Sequence, residues 1–345
     1  MCGIDGLSVG CGMAPQCPKA LILKRLAANG DGHRSSRRIS SLDSWATRAS
    51  VRTRPHPNFE DDVDGLLFPT ELVPVANHEL VHEAPEHVRH TILACHLFRY
   101  LHFTAKLEHL VVNRTLLALA NDTTGLEVPD SMRLDAYKIY CDEAYHAFVA
   151  ADLAAAVANR EGLRTRWAET PYFIRRLRQI VEDAGPELGP LVEMLFVICS
   201  ETLISHTLSY AAEAPGLSNP VRQALDDHAH DERRHHAYFA DFLRRLWPQL
   251  TPSAQRRAGA LVPELIDAFL RPDLEGAREE LCGYGICRDD VDRILAESYP
   301  DEVIRADRQH IARHTVRYFE SVGALEHSEV AYAFEAADLC GRVAA

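Results

Sequence analysis

The sequence lacks the features that mark several common protein classes. No stretch alternates apolar and polar residues as a half-buried strand does, and no hairpin dipeptide joins two such stretches, which argues against a β-sheet. No apolar run approaches the roughly 20 residues of a membrane-spanning helix. Residues 1–17 lack the charged start and continuous apolar segment of a signal peptide. The expected location is therefore the cytoplasm, with no membrane partner. Nine cysteines make an odd count and show no zinc spacing; Cys2, Cys11 and Cys17 lie in a Gly-rich start, while Cys95, Cys141 and Cys199 fall within helical patterns. Reduced thiols fit this distribution better than a disulfide framework. Basic residues are also in deficit. The formal charge of −13 argues against a general nucleic-acid partner, because phosphate contact needs a cationic surface.

What is present is helical pattern. The 345 residues are 47% hydrophobic, enough to fill the core of a large domain. Residues 1–60 mix Gly, Ser and Arg without a sustained period and read as a flexible N-terminal extension with no assigned chemistry; residues 61–345 read as the folded domain. A Pro-containing loop with Leu72-Val73-Pro74-Val75 leads into a helix over 86–120. Further helices are expected at 131–159, 188–212 and 219–246, with a basic crossover carrying a short helix at 160–185. Beyond Pro252 helical patterns cover 254–270, 288–297, 303–322 and 327–339. The expected class is all-α.

Carboxylates and imidazoles occupy the apolar stripes of these helices. In the helix at 219–246, His228, Glu232 and His235 stand at i, i+4 and i+7 on the face that also carries Val221, Leu225, Phe239 and Phe242. A carboxylate aimed at a core is costly unless something offsets it, and a coordinated metal ion does so. The other helices supply matching groups: Glu108 in the first, Glu143-x-x-His146 in the second and Glu201 in the third. The chain thus repeats one unit: a helix with a single inward Glu, then a helix with an inward Glu-x-x-His. The spacings of 35 residues from Glu108 to Glu143 and 31 from Glu201 to Glu232 suit antiparallel helix hairpins. This is the pattern of ferritin-like bundles that hold two iron or two manganese ions. Four carboxylates carry a charge that two divalent cations cancel, and oxygen with imidazole donors suits iron or manganese. Asp142, beside Glu143 but rotated off its face, is placed to accept a hydrogen bond from a ligating histidine elsewhere. His102, His109, His230 and His236 lie outside the stripes, and His206 lies little more than one turn beyond Glu201.

His228 exceeds the ligand set of an ordinary Glu-x-x-His bundle. With it the sequence resembles the di-iron N-oxygenases typified by p-aminobenzoate N-oxygenase of aureothin biosynthesis, which add a third histidine one turn before the last Glu. The resemblance covers roughly residues 65–325 and includes the Asp-Glu-x-x-His core at 142–146 and the Leu72-Val73-Pro74 loop. It implies Glu108, Glu143, His146, Glu201, His228, Glu232 and His235 as ligands of two iron ions. It also implies O₂ as co-substrate, a small-molecule amine as substrate, an external electron donor, and a hydroxylamine, nitroso or nitro product. Tyr100 would line the substrate pocket, with a packing role as its alternative, and Arg313 or Arg317 would hold a substrate carboxylate, with a solvent-facing Arg as the alternative. A homodimer is the default assembly for such bundles. The same core also suits a C–H hydroxylase, desaturase or oxidative fragmentation enzyme, because substrate placement decides the outcome. A non-catalytic iron-binding bundle leaves the large C-terminal third unexplained. A zinc hydrolase on His228, Glu232 and His235 leaves three inward carboxylates without a role.

Overall fold

A computed structural model describes residues 22–24, 40–59, 65–165 and 169–340. Among them the only β-type pairings are single bridges, Leu23 with Leu250 and Leu66 with Leu217. Everything else regular is helix. Two one-turn helices come first, α1 (Trp45–Arg48) and α2 (Ser50–Thr53), followed by α3 (Glu79–His82). The bundle is built from α4 (Glu86–Leu107) with its continuation α5 (Asn113–Ala120), α6 (Asp130–Glu161), α7 (Tyr172–Glu213) and α8 (Asn219–Leu246). α4 and α5 lie along α6, and α7 lies along α8. The expected ferritin-like four-helix bundle is what the chain forms.

Local sequence explains the ends and breaks. Pro129 precedes α6, Asp130 sits in its first turn, and Gly162 closes it in the left-handed conformation that glycine adopts without a Cβ penalty. The helix expected over 86–120 is not uniform: Glu108–Val112 is a π turn between α4 and α5. Such turns cluster at functional sites because the extra residue re-aims one side chain, and here the turn begins at Glu108. The core helix expected to start near 188 begins at Tyr172, so the crossover helix and the core helix are one element. Gly185, at φ 81 and ψ 169, kinks it just before Pro186, whose missing N–H and ring cannot continue a straight helix.

α7 corrects one expectation. By length and composition it is long and apolar enough to cross a membrane, but 78% of its most apolar window is buried within the protein. Its hydrophobicity serves the core, where Leu195, Phe196, Val197 and Leu203 are inaccessible. The C-terminal third forms a layer over the bundle. It comprises α9 (Pro252–Gly259), α10 (Val262–Leu270), α11 (Leu274–Gly283), α12 (Arg288–Ser298), α13 (Asp301–Ser321) and α14 (Ser328–Ala336). The helix expected at 254–270 is split at Ala260–Leu261, ahead of Pro263, and α11 lies between the expected helices. α10 packs on α7, and α13 on α7 and α8.

The N-terminal expectation also needs correction. Residues 1–21 and 25–39 lie outside the described residues, but 40–59 are packed on the bundle. Leu42, Ala49 and Ser50 are inaccessible to solvent. Lys138 Nζ donates to the Leu42 carbonyl at 3.1 Å, and Ser50 Oγ donates to the Asp227 carbonyl at 3.0 Å. Arg54 pairs with Asp226 at 2.9 Å and with Asp227. A short segment without apolar periodicity is held here by polar contacts, which a search for periodicity does not register.

Candidate metal centre

The repeated helix pairs bring all seven residues of the expected ligand set into the middle of the bundle. Every one is buried, from His235 and Glu143 at 0% exposure to His228 at 6%. They form two groups whose donor atoms lie within 4.8 Å of one another: Glu108, Glu143, His146 and His228, and Glu143, Glu201, Glu232 and His235. Glu143 belongs to both. Glu232 also lies between them, with Oε1 at 3.2 Å from His228 Nε2 and 3.1 Å from His235 Nδ1. Each group could hold one metal ion, with Glu143 and Glu232 placed between the two. The third histidine makes the groups unequal. His146 and His228, with ring centroids 4.2 Å apart, face the first, while His235 alone serves the second.

The histidines are aimed by carboxylates that cross from one helix to the other. His146 on α6 presents Nδ1 to Glu143 Oε2 at 3.1 Å and pairs its Nε2 with Asp231 on α8 at 3.1 Å. His235 on α8 presents Nδ1 to Glu143 Oε1 at 2.9 Å and Glu232 Oε1 at 3.1 Å, and pairs its Nε2 with Asp142 on α6 at 3.1 Å. A carboxylate on Nε2 fixes the proton there and leaves the Nδ1 lone pair facing the interior, where it could ligate a metal ion. Asp142 thus lies where an outer acceptor was expected. Asp231 was missed, although the signal was legible: Asp231-Glu232-x-x-His235 repeats Asp142-Glu143-x-x-His146 residue for residue.

The electrostatics are those of a site with too much negative charge for its surroundings. Burial raises the Glu108 carboxyl to about 7 despite the nearby His228. Burial, with the charges of Glu232 and Glu143, holds Glu201 well above the ordinary carboxylate range. Burial also works against charge on the imidazoles, yet their partners prevail. Asp231 and Glu143 raise His146 well above its usual value, Glu143 and Glu232 do so for His235, and His228 rises to about 9 beside Glu108. Glu232 goes the other way: burial pushes it up, but His235 and His228 bring it well below the usual range. Both oxygens of Glu108, Glu143 Oε1, Glu201 Oε2, Glu232 Oε2 and His228 Nε2 are buried without a properly aligned hydrogen-bond partner, although His228 Nε2 lies 3.0 Å from Glu108 Oε1 and His235 Nδ1 lies 2.9 Å from Glu143 Oε1. Unsatisfied buried carboxylate oxygens converging on one point are costly. Two divalent cations would satisfy the oxygens and cancel the charge, so the residues present fit a dimetal centre.

The remaining expected residues divide. Tyr100 lies on α4 with its hydroxyl buried. Its ring lines both an outer cavity of about 300 Å³, walled by Phe98, Phe103, Phe173 and Phe269, and a small inner cleft of about 30 Å³ that reaches His146 and His228. Arg313 and Arg317 are exposed on α13, Arg313 lies against His310, and neither lines either cavity. The inward face of α13 is Ala312, Thr315, Val316 and Phe319, which leaves positions 313 and 317 on the opposite side. The expected carboxylate-holding role is therefore not supported by their position. His109 is exposed, His236 bonds to the Tyr318 hydroxyl at 2.8 Å, and His230 lies 3.1 Å from the Arg48 carbonyl; none belongs to either group. The His206 side chain lies outside what is described.

The chain is 25% identical over 253 residues to 4-aminobenzoate N-oxygenase from Streptomyces thioluteus, a match that covers 70% of this chain and 74% of that protein. Residues 36–323 match the family described as p-aminobenzoate N-oxygenase AurF, and that span takes in every residue of the two groups as well as the packed segment 40–59. With the bundle, the paired Asp-Glu-x-x-His units and the third histidine in place, the chain belongs to the AurF family of N-oxygenases.

Proposed function

We propose that the protein is a di-iron, O₂-dependent amine N-oxygenase. It would convert an aryl or amino-acid-derived amine to a hydroxylamine and onward to nitroso or nitro products, in secondary metabolism. The observation that carries this reading is the pair of buried groups sharing Glu143, rich in orphaned carboxylate oxygens, in a chain of this family. Glu108, Glu143, His146 and His228 would hold one iron, and Glu201, Glu232 and His235, with Glu143 shared, the other. Manganese suits the same donors. When bound, the metal pair would supply the redox chemistry for O₂-dependent oxygenation of the amine nitrogen. Each hydroxylation consumes two electrons and two protons and releases water, so an external donor is required.

The chain's own residues do the remainder. Asp142 and Asp231 keep the protons of His235 and His146 on Nε2, which leaves Nδ1 free to ligate. Tyr100 lines both the outer cavity and the cleft at His146 and His228, so its ring would stand between a substrate in the outer cavity and the candidate metal centre. The aromatic wall of that cavity suits an aryl group, and its volume is at the small end of ligand pockets.

The test is anaerobic loading with Fe(II), metal counting, and then exposure to O₂ with an aromatic amine and a reductant. Two irons per chain with conversion of the amine to N-oxygenated products are expected. Two irons with the amine untouched would move the reading to C–H chemistry on another substrate. Retained zinc with little iron would end the di-iron reading.

A further inference from the structure

Residues 40–54 reach both carboxylates that orient the histidines of the site. Trp45 Nε1–H donates to Asp142 Oδ1 and Oδ2 at 2.8 and 2.9 Å. The Ser50 backbone N–H donates to Asp231 Oδ1 and Oδ2 at 3.1 and 3.2 Å. Both carboxylates are fully buried. The segment is tied to both helices it bridges. Ser40 Oγ bonds to Asp135 on α6, and Ser41 Oγ donates to the Arg234 carbonyl on α8 at 3.1 Å.

We propose that Trp45–Arg54 is a clasp that positions the metal ligands, with Trp45 and the Ser50 amide as its two positioning contacts. It rests on the metal-binding reading above. The chain of contacts is short on each side: Trp45 to Asp142 to His235, and Ser50 to Asp231 to His146. Each carboxylate meets its histidine at Oδ2 and accepts from the clasp across both oxygens, so its plane, and with it the direction of the histidine's Nδ1, is held from outside the bundle.

The two sides are unequally secured. Asp231 also accepts from the Arg234 guanidinium on its own helix. Asp142 has Trp45 and His235 as its donors among the described residues. Removal of the indole N–H therefore leaves Asp142 tied to the imidazole alone, whereas Asp231 without the Ser50 amide keeps Arg234. Loss of Trp45 should act selectively on the ion held with Glu201 and His235.

The experiment is a stepwise anaerobic Fe(II) titration of the wild-type chain and of Trp45→Phe, which keeps an aromatic ring but no donor. The wild type should take up two ions. The variant should bind one ion as the wild type does and the other about tenfold more weakly, the low end of the loss expected when an outer partner of a ligand is removed. Two unchanged steps, or two steps weakened alike as a general packing defect would produce, overturn the clasp. A wild type that binds fewer than two ions overturns the metal reading beneath it, and does so before any variant is made. If Trp45→Phe does not fold, the wild type still decides: the Trp45 indole N–H, one of three in the chain, is followed by ¹H–¹⁵N NMR as Zn(II) is added. A slowly exchanging resonance that shifts on loading supports the proposal, and one that ignores the metal overturns it.

Discussion

Helices α6 and α8 carry the same five-residue unit, Asp-Glu-x-x-His, at 142–146 and 231–235, yet they make different halves of a site. The difference lies one turn earlier. Four residues before Glu232 stands His228; four residues before Glu143 stands Ile139, fully buried in the core. One position filled by an imidazole on one helix and by an aliphatic side chain on the other gives one group two imidazoles and the other one. The second difference is outside the unit. Asp231 is secured by Arg234 and the Ser50 amide, Asp142 by the Trp45 indole. An internal repeat thus supplies a near-symmetric frame, and a few side chains around it make the two candidate metal positions chemically unlike.

That comparison breaks most completely at His228. Replacing His228 with Ile makes α8 repeat α6, and we expect the ion beside Glu108 to be lost and N-oxygenation to fall by about a hundredfold or more, since even outer partners of ligands are worth about 10- to 100-fold in affinity. Metal analysis beside turnover decides it; a variant that keeps two ions and full activity would remove the third histidine from the ligand set.

The crossed carboxylates come next. Asp142→Asn should weaken the ion at His235, and Asp231→Asn the ion at His146, each by about 10- to 100-fold. Because the acceptor lies on the opposite helix, each change should act on the other unit's histidine. Loss at the histidine of the same helix would contradict the crossing.

Removing the metal should expose the charge imbalance as a pH dependence. In the stripped protein His228 titrates near 9, above the usual 6.5, so its contribution to stability is complete below 6.5 and lost as pH rises through about 9. Glu108, raised to about 7, adds to the same trend, because its unfavourable buried charge develops as pH climbs from about 4.5 to 7. Asp231, held below its usual 3.8, contributes stability that is present above that pH and lost only in acid. Thermal midpoints of stripped protein should therefore fall between pH 6.5 and 9, while metal-loaded protein should hold steady, since loading displaces those protons. Parallel curves for the two forms would mean that the site does not carry this linkage.

The smallest effect is expected at the surface. Arg313→Ala and Arg317→Ala should shift stability by no more than about 0.5 kcal/mol and leave substrate affinity unchanged. A marked rise in KM for an anionic amine would restore the substrate role that their exposed position on α13 does not support.

Much of this was legible in the residue pattern. An inward Glu or Glu-x-x-His in an apolar stripe is a local property, because helix geometry alone determines which residues share a face. The four stripes at Glu108, Glu143, Glu201 and Glu232 therefore announce the bundle and its candidate ligands. Periodicity was blind to groups that act across helices or outside them. Asp231 repeats Asp142 in sequence, but its pairing with His146 exists only once α6 and α8 lie side by side. Trp45 and Ser50, in a segment without apolar period, acquire their contacts from packing alone.

The sequence by itself determined the all-α class, the succession of the four ligand-bearing helices and the residue types offered to the metals, because each follows from spacing along one chain. Tertiary structure alone decided that Glu143 is shared by both groups, which carboxylate aims which histidine, that the π turn begins at Glu108, and that residues 40–54 close over the outer edge of the site. Those features depend on distances between elements far apart in the chain, and only the folded packing of the helices sets them.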